Sequence, residues 1–239
     1  MEQRKRVKIR TTLPILPPIE SRDEIHTPRL IIRAPRISDV PALHTLRSQP
    51  EVMKYSSKGP DKTLEDTRRS LDDLLPPNDS KTYYFLIFQR DTGDLIGRGG
   101  LHGISGRTLG WPEIGYSFKP ETWGKGYGTE FLTAFVQNWW SLPRREAEIE
   151  VDATALDAQE LESEVSPSAV ERLVAAADVN NLGSRRILEK SGFMAFREWT
   201  GPDPREAYKG QQARMVAFAC VAPGQETRGG GSKNNMSII

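Results

Sequence analysis

One cysteine in 239 residues excludes a disulfide framework and a cysteine-rich metal site. That residue, Cys220, lies in the apolar run 215–221, which suits a buried structural thiol rather than a nucleophile. No stretch approaches the ~20 apolar residues of a membrane span. No apolar segment follows the basic N-terminus, so no secretory signal is expected. Charge of one sign is lacking too: 33 Lys and Arg face 32 Asp and Glu, giving no global electrostatic case for nucleic acid. The expectation is a soluble, cytoplasmic protein without metal. Hydrophobic content of 37% is enough for a core, and a mean hydropathy of −0.54 points to polar tails or insertions around it. The length allows one large domain or two small ones.

What is present centres on residues 113–130, EIGYSFKPETWGKGYGTE. Glu113 to Phe118 has the β-branched and aromatic content of a strand, and Pro120 ends it. From Thr129 onward, Phe131, Leu132, Phe135, Val136 and Trp139 fall at helical spacing. The turn between them, Trp123-Gly124-Lys125-Gly126-Tyr127-Gly128-Thr129, aims backbone N–H groups at one place near a helix N-terminus, where the dipole also favours an anion. Lys125 adds a mobile positive charge. A phosphate or pyrophosphate ligand is expected. The Gly-Lys-Ser/Thr ending of a P-loop is absent. A dinucleotide fingerprint fits poorly, because position 129 is Thr and residues 119–123 separate the strand from the first glycine, although Glu150 and Asp152 lie at a suitable distance downstream. A ligand-free turn also fits this stretch taken alone.

A second stretch, 181–193 (NLGSRRILEKSGF), changes the weighting. With 123–129 it resembles the acyl-CoA signature of the GNAT superfamily of N-acetyltransferases, in the Rim-type branch named for ribosomal-protein alanine acetyltransferases. The resemblance begins at Thr27-Pro28-Arg29-Leu30-Ile31-Ile32-Arg33. It continues through Pro50-Glu51-Val52-Met53, Gly93-Asp94-Leu95-Ile96-Gly97 and Glu113-Ile114-Gly115-Tyr116, covering roughly residues 25–220. It implies an α/β (α+β) fold, the GNAT acyl-CoA N-acyltransferase fold: a mixed central sheet, flanked by helices, whose fourth and fifth strands splay apart. It also implies acetyl-CoA as co-substrate, an amine acceptor, and no nucleic-acid or membrane partner; a homodimer stays open.

Taken in order, residues 1–24 read as a basic, proline-containing tail, a solvated arm or an anionic-surface arm. A domain over 25–221 follows. Arg29 to Arg33 reads as a strand, and Ser38 and Asp39 can cap a helix to about Ser48. Thr63 caps another, with Leu64, Leu71, Leu74 and Leu75 on its apolar side. In the family these helices border the acceptor groove. Tyr83 to Gln89 and Leu95 to Leu101 form a hairpin about the turn 91–94. A helix is expected from about Tyr127 to Ser141. Residues 146–170 look like an acidic insertion with a short strand near Ile149 and a helical turn near Leu161, either a lid or a solvated excursion. The fifth strand is placed at Arg172 to Ala177 and a helix at Asn181 to Lys190, with Gly192 as its C-cap. The strands Phe193 to Thr200 and Ala213 to Cys220 close the sheet. The segment 222–239 is expected to be disordered.

The resemblance supplies roles. Backbone groups around Ser117 and Phe118 would pair with pantetheine as an added strand, and the 123–129 turn would hold the pyrophosphate. Asn181 would contact the cofactor, and Ser184 would give a proton or hydrogen bond to the departing thiolate. Arg185, Arg186 and Lys190 are phosphate candidates or plain surface residues. The chemistry asks for a neutral amine, a donor for the oxyanion and a leaving thiolate. An α-amine is already roughly a tenth neutral at pH 7, whereas a lysine amine is neutral about four times in ten thousand, so the acceptor decides the need for a base. Glu113 is the base candidate, directly or through water; His102 and His44 are alternatives. Two functions stand: an N-acetyltransferase for a protein N-terminus, amino acid or small amine, and a non-catalytic acyl-CoA-binding module.

Overall fold

Strand β4 (Tyr83–Gln89) and helix α4 (Tyr127–Ser141) are both rich in large apolar residues, and the main core is built where they meet. The computed structural model describes residues 5–106, 108–161 and 167–225. In chain order the other strands are β1 (Arg6–Pro14), β2 (Ile25–His26), β3 (Leu30–Arg33), β5 (Leu95–Leu101), β6 (Ile114–Phe118), β7 (Arg144–Asp152), β8 (Leu173–Asp178), β9 (Met194–Pro202) and β10 (Gln212–Cys220). The other helices are α1 (Val40–Arg47), α2 (Pro50–Met53), α3 (Leu64–Asp72), α5 (Ala158–Leu161) and α6 (Leu182–Lys190).

A five-stranded antiparallel sheet runs β2-β3-β4-β5-β6, and a three-stranded one runs β8-β10-β9. β4 buries both faces. Tyr83, Phe85 and Ile87 meet Phe131, Phe135 and Trp139 of α4 on one side. Tyr84 and Leu86 meet Leu43, Leu46, Met53 and Leu71 of α1–α3 on the other. Thr63 caps α3 as expected, accepting from the Asp66 N–H at 3.2 Å while the Asp66 carboxylate accepts from the Thr63 N–H at 2.9 Å. Leu64, expected on the apolar side of α3, is instead 53% exposed, because it occupies the first turn beyond the reach of the sheet. Helix α1 begins at Val40, and the Asp39 carboxylate accepts from the Arg36 N–H and the Arg33 guanidinium instead of capping it.

Among the described residues, the backbones of the two sheets pair at one place, above a core that they share. Glu113 forms an isolated parallel bridge with Val174, whose N–H donates to Pro112 O at 2.9 Å. Beyond that point β6 and β8 separate, which is the splay expected of the fourth and fifth strands.

The segment expected as a solvated N-terminal arm behaves differently. β1 pairs antiparallel with β7 over nine residue pairs. Its alternation explains why: Lys8 and Arg10 lie opposite Glu150 and Glu148, while Ile9 and Leu13 are buried. The basic run of the tail and the acidic run of the apparent insertion are two halves of one ladder. Ile9 and Val151 close a separate core with Leu109, Trp111, Val174 and Ala217. The helical turn expected near Leu161 is α5. Most of the tail expected from 222 onward lies outside the described residues, as do 162–166 of the acidic stretch.

Candidate active site

The glycine turn enters α4 through two left-handed residues, Gly124 (φ 72°) and Gly126 (φ 83°), a conformation that side chains with a Cβ resist. Gly128 serves another purpose: a Cβ there would stand 2.5 Å from Ile187 Cδ1, so it lets α4 approach α6. The Trp123 N–H is bonded to Pro120 O, and the Trp123 indole N–H donates to Phe118 O at 2.8 Å. Among the described residues, the N–H groups of 124–129 have no protein acceptor, as expected at a helix start. Arg29 braces the turn: it donates to Lys125 O at 2.9 Å, pairs with Glu130 at 2.6 Å and lies 4.5 Å over the Tyr127 ring. Burial pushes the Glu130 carboxyl up, but hydrogen bonds from Thr27 and Arg29 outweigh it and hold the carboxyl below the ordinary glutamate range.

These groups open on a cavity of about 1040 Å³ that runs from the turn, through the gap between β6 and β8, to α1–α3. Trp123, Gly124, Gly126, Tyr127, Gly128, Thr129, Asn181 and Ser184 line it, whereas Lys125 does not. Of the three basic candidates on α6, Arg186 and Lys190 line it; Arg185 is tied to Val179 O.

Register decides which backbone groups face the gap. The Lys119 N–H donates to Ile96 O, and Ser117 lies opposite Arg98. Hydrogen-bonded and non-bonded pairs alternate along an antiparallel ladder, so the main-chain groups of Ser117 point to β5 and those of Tyr116 and Phe118 point toward β8. The Ser117 hydroxyl accepts from Arg98 Nε at 3.2 Å. Ser117, expected to offer its backbone to pantetheine, directs its main-chain groups to β5, and the groups open to the gap are those of its neighbours Tyr116 and Phe118.

Tyr116 also brings a side chain that sequence reasoning missed. Its hydroxyl donates to Ser184 O at 3.1 Å and lies 3.0 Å from Ser184 Oγ. Burial drives the phenol pKa well above its ordinary value, with the Ser184 hydrogen bond opposing, so the proton stays on at neutral pH. Asn181 Oδ1 accepts from the Ser184 N–H at 3.2 Å, capping α6, so its role includes holding Ser184 in place. Glu113 lines the cavity at the closed end of the gap, where its two carboxylate oxygens accept from the Thr108 N–H and hydroxyl, each at 3.1 Å. His102 also lines the cavity, its ring 4.4 Å from that of Tyr84 and tilted by 41° to it. His44 does not; its Nδ1 pairs with Thr67 of α3. Cys220 is buried away from the cavity lining, and burial raises its thiol pKa.

The described groups fit a long, phosphate-bearing thioester: unmet N–H groups at a helix start, an open strand edge, and a channel joining them. A family profile described as the acetyltransferase (GNAT) domain matches residues 29–194. An uncharacterised N-acetyltransferase p20 of Bacillus licheniformis is 29% identical over 139 residues, 55% of this chain and 76% of that one. A GNAT-family acetyltransferase from Bacillus anthracis superposes with a TM-score of 0.59 at 23% identity, covering 83% of this chain and 98% of the other. The ribosomal-protein-S5-alanine acetyltransferase of Vibrio fischeri gives 0.61 at 16% identity, over 86% and 100%. RimL, a ribosomal L7/L12 α-N-protein acetyltransferase in complex with coenzyme A, gives 0.61 at 19% identity, over 83% and 98%.

Proposed function

The chain belongs to the GNAT acetyltransferase family and transfers an acetyl group from acetyl-CoA to an amine, and from that premise we propose how its residues divide the work. Acetyl-CoA supplies the activated acetyl thioester. The N–H groups of 124–129 would hold its pyrophosphate at the start of α4, with Arg186 and Lys190 near its phosphates. The backbone of Tyr116 and the N–H of Phe118 would line its pantetheine arm and offer the donor for the oxyanion. Ser184, held in place by the buried Tyr116 hydroxyl, would give a hydrogen bond or a proton to the departing sulfur, balanced by the proton that the attacking amine releases. Glu113 would take the amine proton through a water.

The acceptor class follows from likeness alone: a Rim-type enzyme, with a protein N-terminus, an amino acid or a small amine as substrate. A cytoplasmic setting is part of this reading, supported by a lone buried thiol.

The observation that carries the proposal is the row of unmet N–H groups in a left-handed turn at one end of the cavity. A paired substitution tests it. Asn and Asp both tolerate positive φ, and a Cβ at Gly124 meets nothing within 4 Å. Gly124→Asp should weaken CoA binding at least tenfold more than Gly124→Asn, about 1.4 kcal/mol, by calorimetry. Equal affinities in the two folded variants would remove the pyrophosphate from this turn.

A further inference from the structure

Arg98 stands in the middle of β5, is 8% exposed, and lines the cavity. A guanidinium has five N–H donors in a planar fork. Here Nε donates to Ser117 Oγ at 3.2 Å and Nη2 reaches only Met53 Sδ, at 3.8 Å. Nη1 has no hydrogen-bond acceptor among the described residues, and no carboxylate forms an ion pair with this arginine. The nearby carboxylate is Asp61, which accepts two hydrogen bonds from Arg47, at 2.5 and 2.8 Å, and a third from Thr67. Asp61 is thus committed to Arg47 and Thr67, and the buried Arg98 charge has no ion-pair partner among the described residues. Of the other cavity-lining acids, Glu51 and Asp73 are exposed, Asp178 pairs with Arg205, and Glu113 accepts from Thr108. An isolated buried charge is costly, and arginine remains charged at any ordinary pH.

The face on which Arg98 lies separates it from the phosphate end. Its neighbours Gly97 and Gly99 pack beneath Phe118 and Phe131, on the α4 side. Arg98 projects oppositely, against Met53 of α2, into the part of the cavity lined by Arg47, Tyr55 and Tyr84. An anion reaching it would come from the acceptor. Building on the acetyltransferase reading above, we infer that the acceptor carries an anionic group near its amine, a carboxylate or a phosphate monoester, and that Arg98 binds that group.

The test is a thiol-release assay with matched acceptors: leucine against leucinamide, and phosphoethanolamine against ethanolamine. In the wild type at least one anionic member should exceed its neutral mate tenfold in kcat/KM; which pair responds distinguishes carboxylate from phosphate. In Arg98→Met the preference should fall toward one, chiefly through KM, and Arg98→Lys should keep part of it. Arg98→Gln serves if thermal melting shows that the Met variant does not fold. Calorimetry with N-acetylleucine, N-acetylleucinamide and inorganic phosphate reads the same site where turnover of these amines is slow. CoA affinity, measured alongside, separates the outcomes. Loss of CoA binding in the wild type would defeat the acetyltransferase site itself. Intact CoA binding with no anionic preference and no anion binding, or a preference that survives in Arg98→Met, would overturn the inference about Arg98.

Discussion

Ser184 and Tyr116 face each other across a gap between two sheets, 68 positions apart in sequence. Ser184→Ala should lower kcat by about 10²-fold, the scale of a general acid, with KM for acetyl-CoA changed less than threefold. Tyr116→Phe keeps the buried ring but removes the hydroxyl, and a loss of roughly tenfold in kcat is expected on the same basis. Steady-state kinetics on both variants check this; a Ser184→Ala enzyme of normal kcat would remove the proton donor proposed here. Glu113→Gln should reduce kcat/KM at least tenfold for a lysine-like amine and less for an α-amine, since the latter needs less help to lose its proton. At this scale the glycine turn and Ser184 stood out in the sequence as candidates, because glycine spacing and a helix start are local signals. Tyr116 and Arg98 read as ordinary strand residues. Their importance depends on register and on which partner sits across the fold, and neither leaves a periodic trace.

The elements tell a similar story. α4 was legible to the residue because its apolar positions repeat at helical spacing and Gly126 marks its entry. β1 was not: its alternation is real, but three of its four exposed residues, Arg6, Lys8 and Arg10, are basic, so the eye meets a charge run before it meets a strand. Only β7, some 140 positions away, supplies the acidic face that makes sense of it. Ile9, 1% exposed against Trp111 and Val151, should therefore matter. Ile9→Ala is expected to destabilise the protein by about 2–5 kcal/mol, read from denaturant melts. The brace on the glycine turn has a pH signature. Glu130 has a folded-state pKa below its unfolded value, so its stabilisation is complete above the unfolded value of about 4.3 and disappears as pH falls through the folded one. The difference in melting temperature between wild type and Glu130→Gln should be largest near neutral pH and shrink below about pH 4. A difference that persists undiminished into acid would mean that Glu130 acts through packing, not charge.

For the whole molecule, helices cover both faces of the five-stranded sheet, and the three-stranded sheet meets it at the Glu113–Val174 bridge, with α4 and α6 packed across the junction. The general architecture followed from the family resemblance carried by the motifs at 27–33, 113–129 and 181–193. The third core behind β8 was not, because it is assembled from segments that each look polar alone.

The lone bridge between the sheets has a consequence for how the enzyme should respond to its own substrate. A chain of amides threaded along Tyr116 and Phe118 would splint two sheets whose backbones, among the described residues, bond to each other at one end alone. At a hundredfold excess over its Kd, CoA should add about 2.7 kcal/mol of stability, raising the melting temperature by roughly 5–10 °C. Amide hydrogens on β6 and β8 should then exchange together, slowing as a unit when the ligand is present, while those of the β1–β7 ladder keep their own pace.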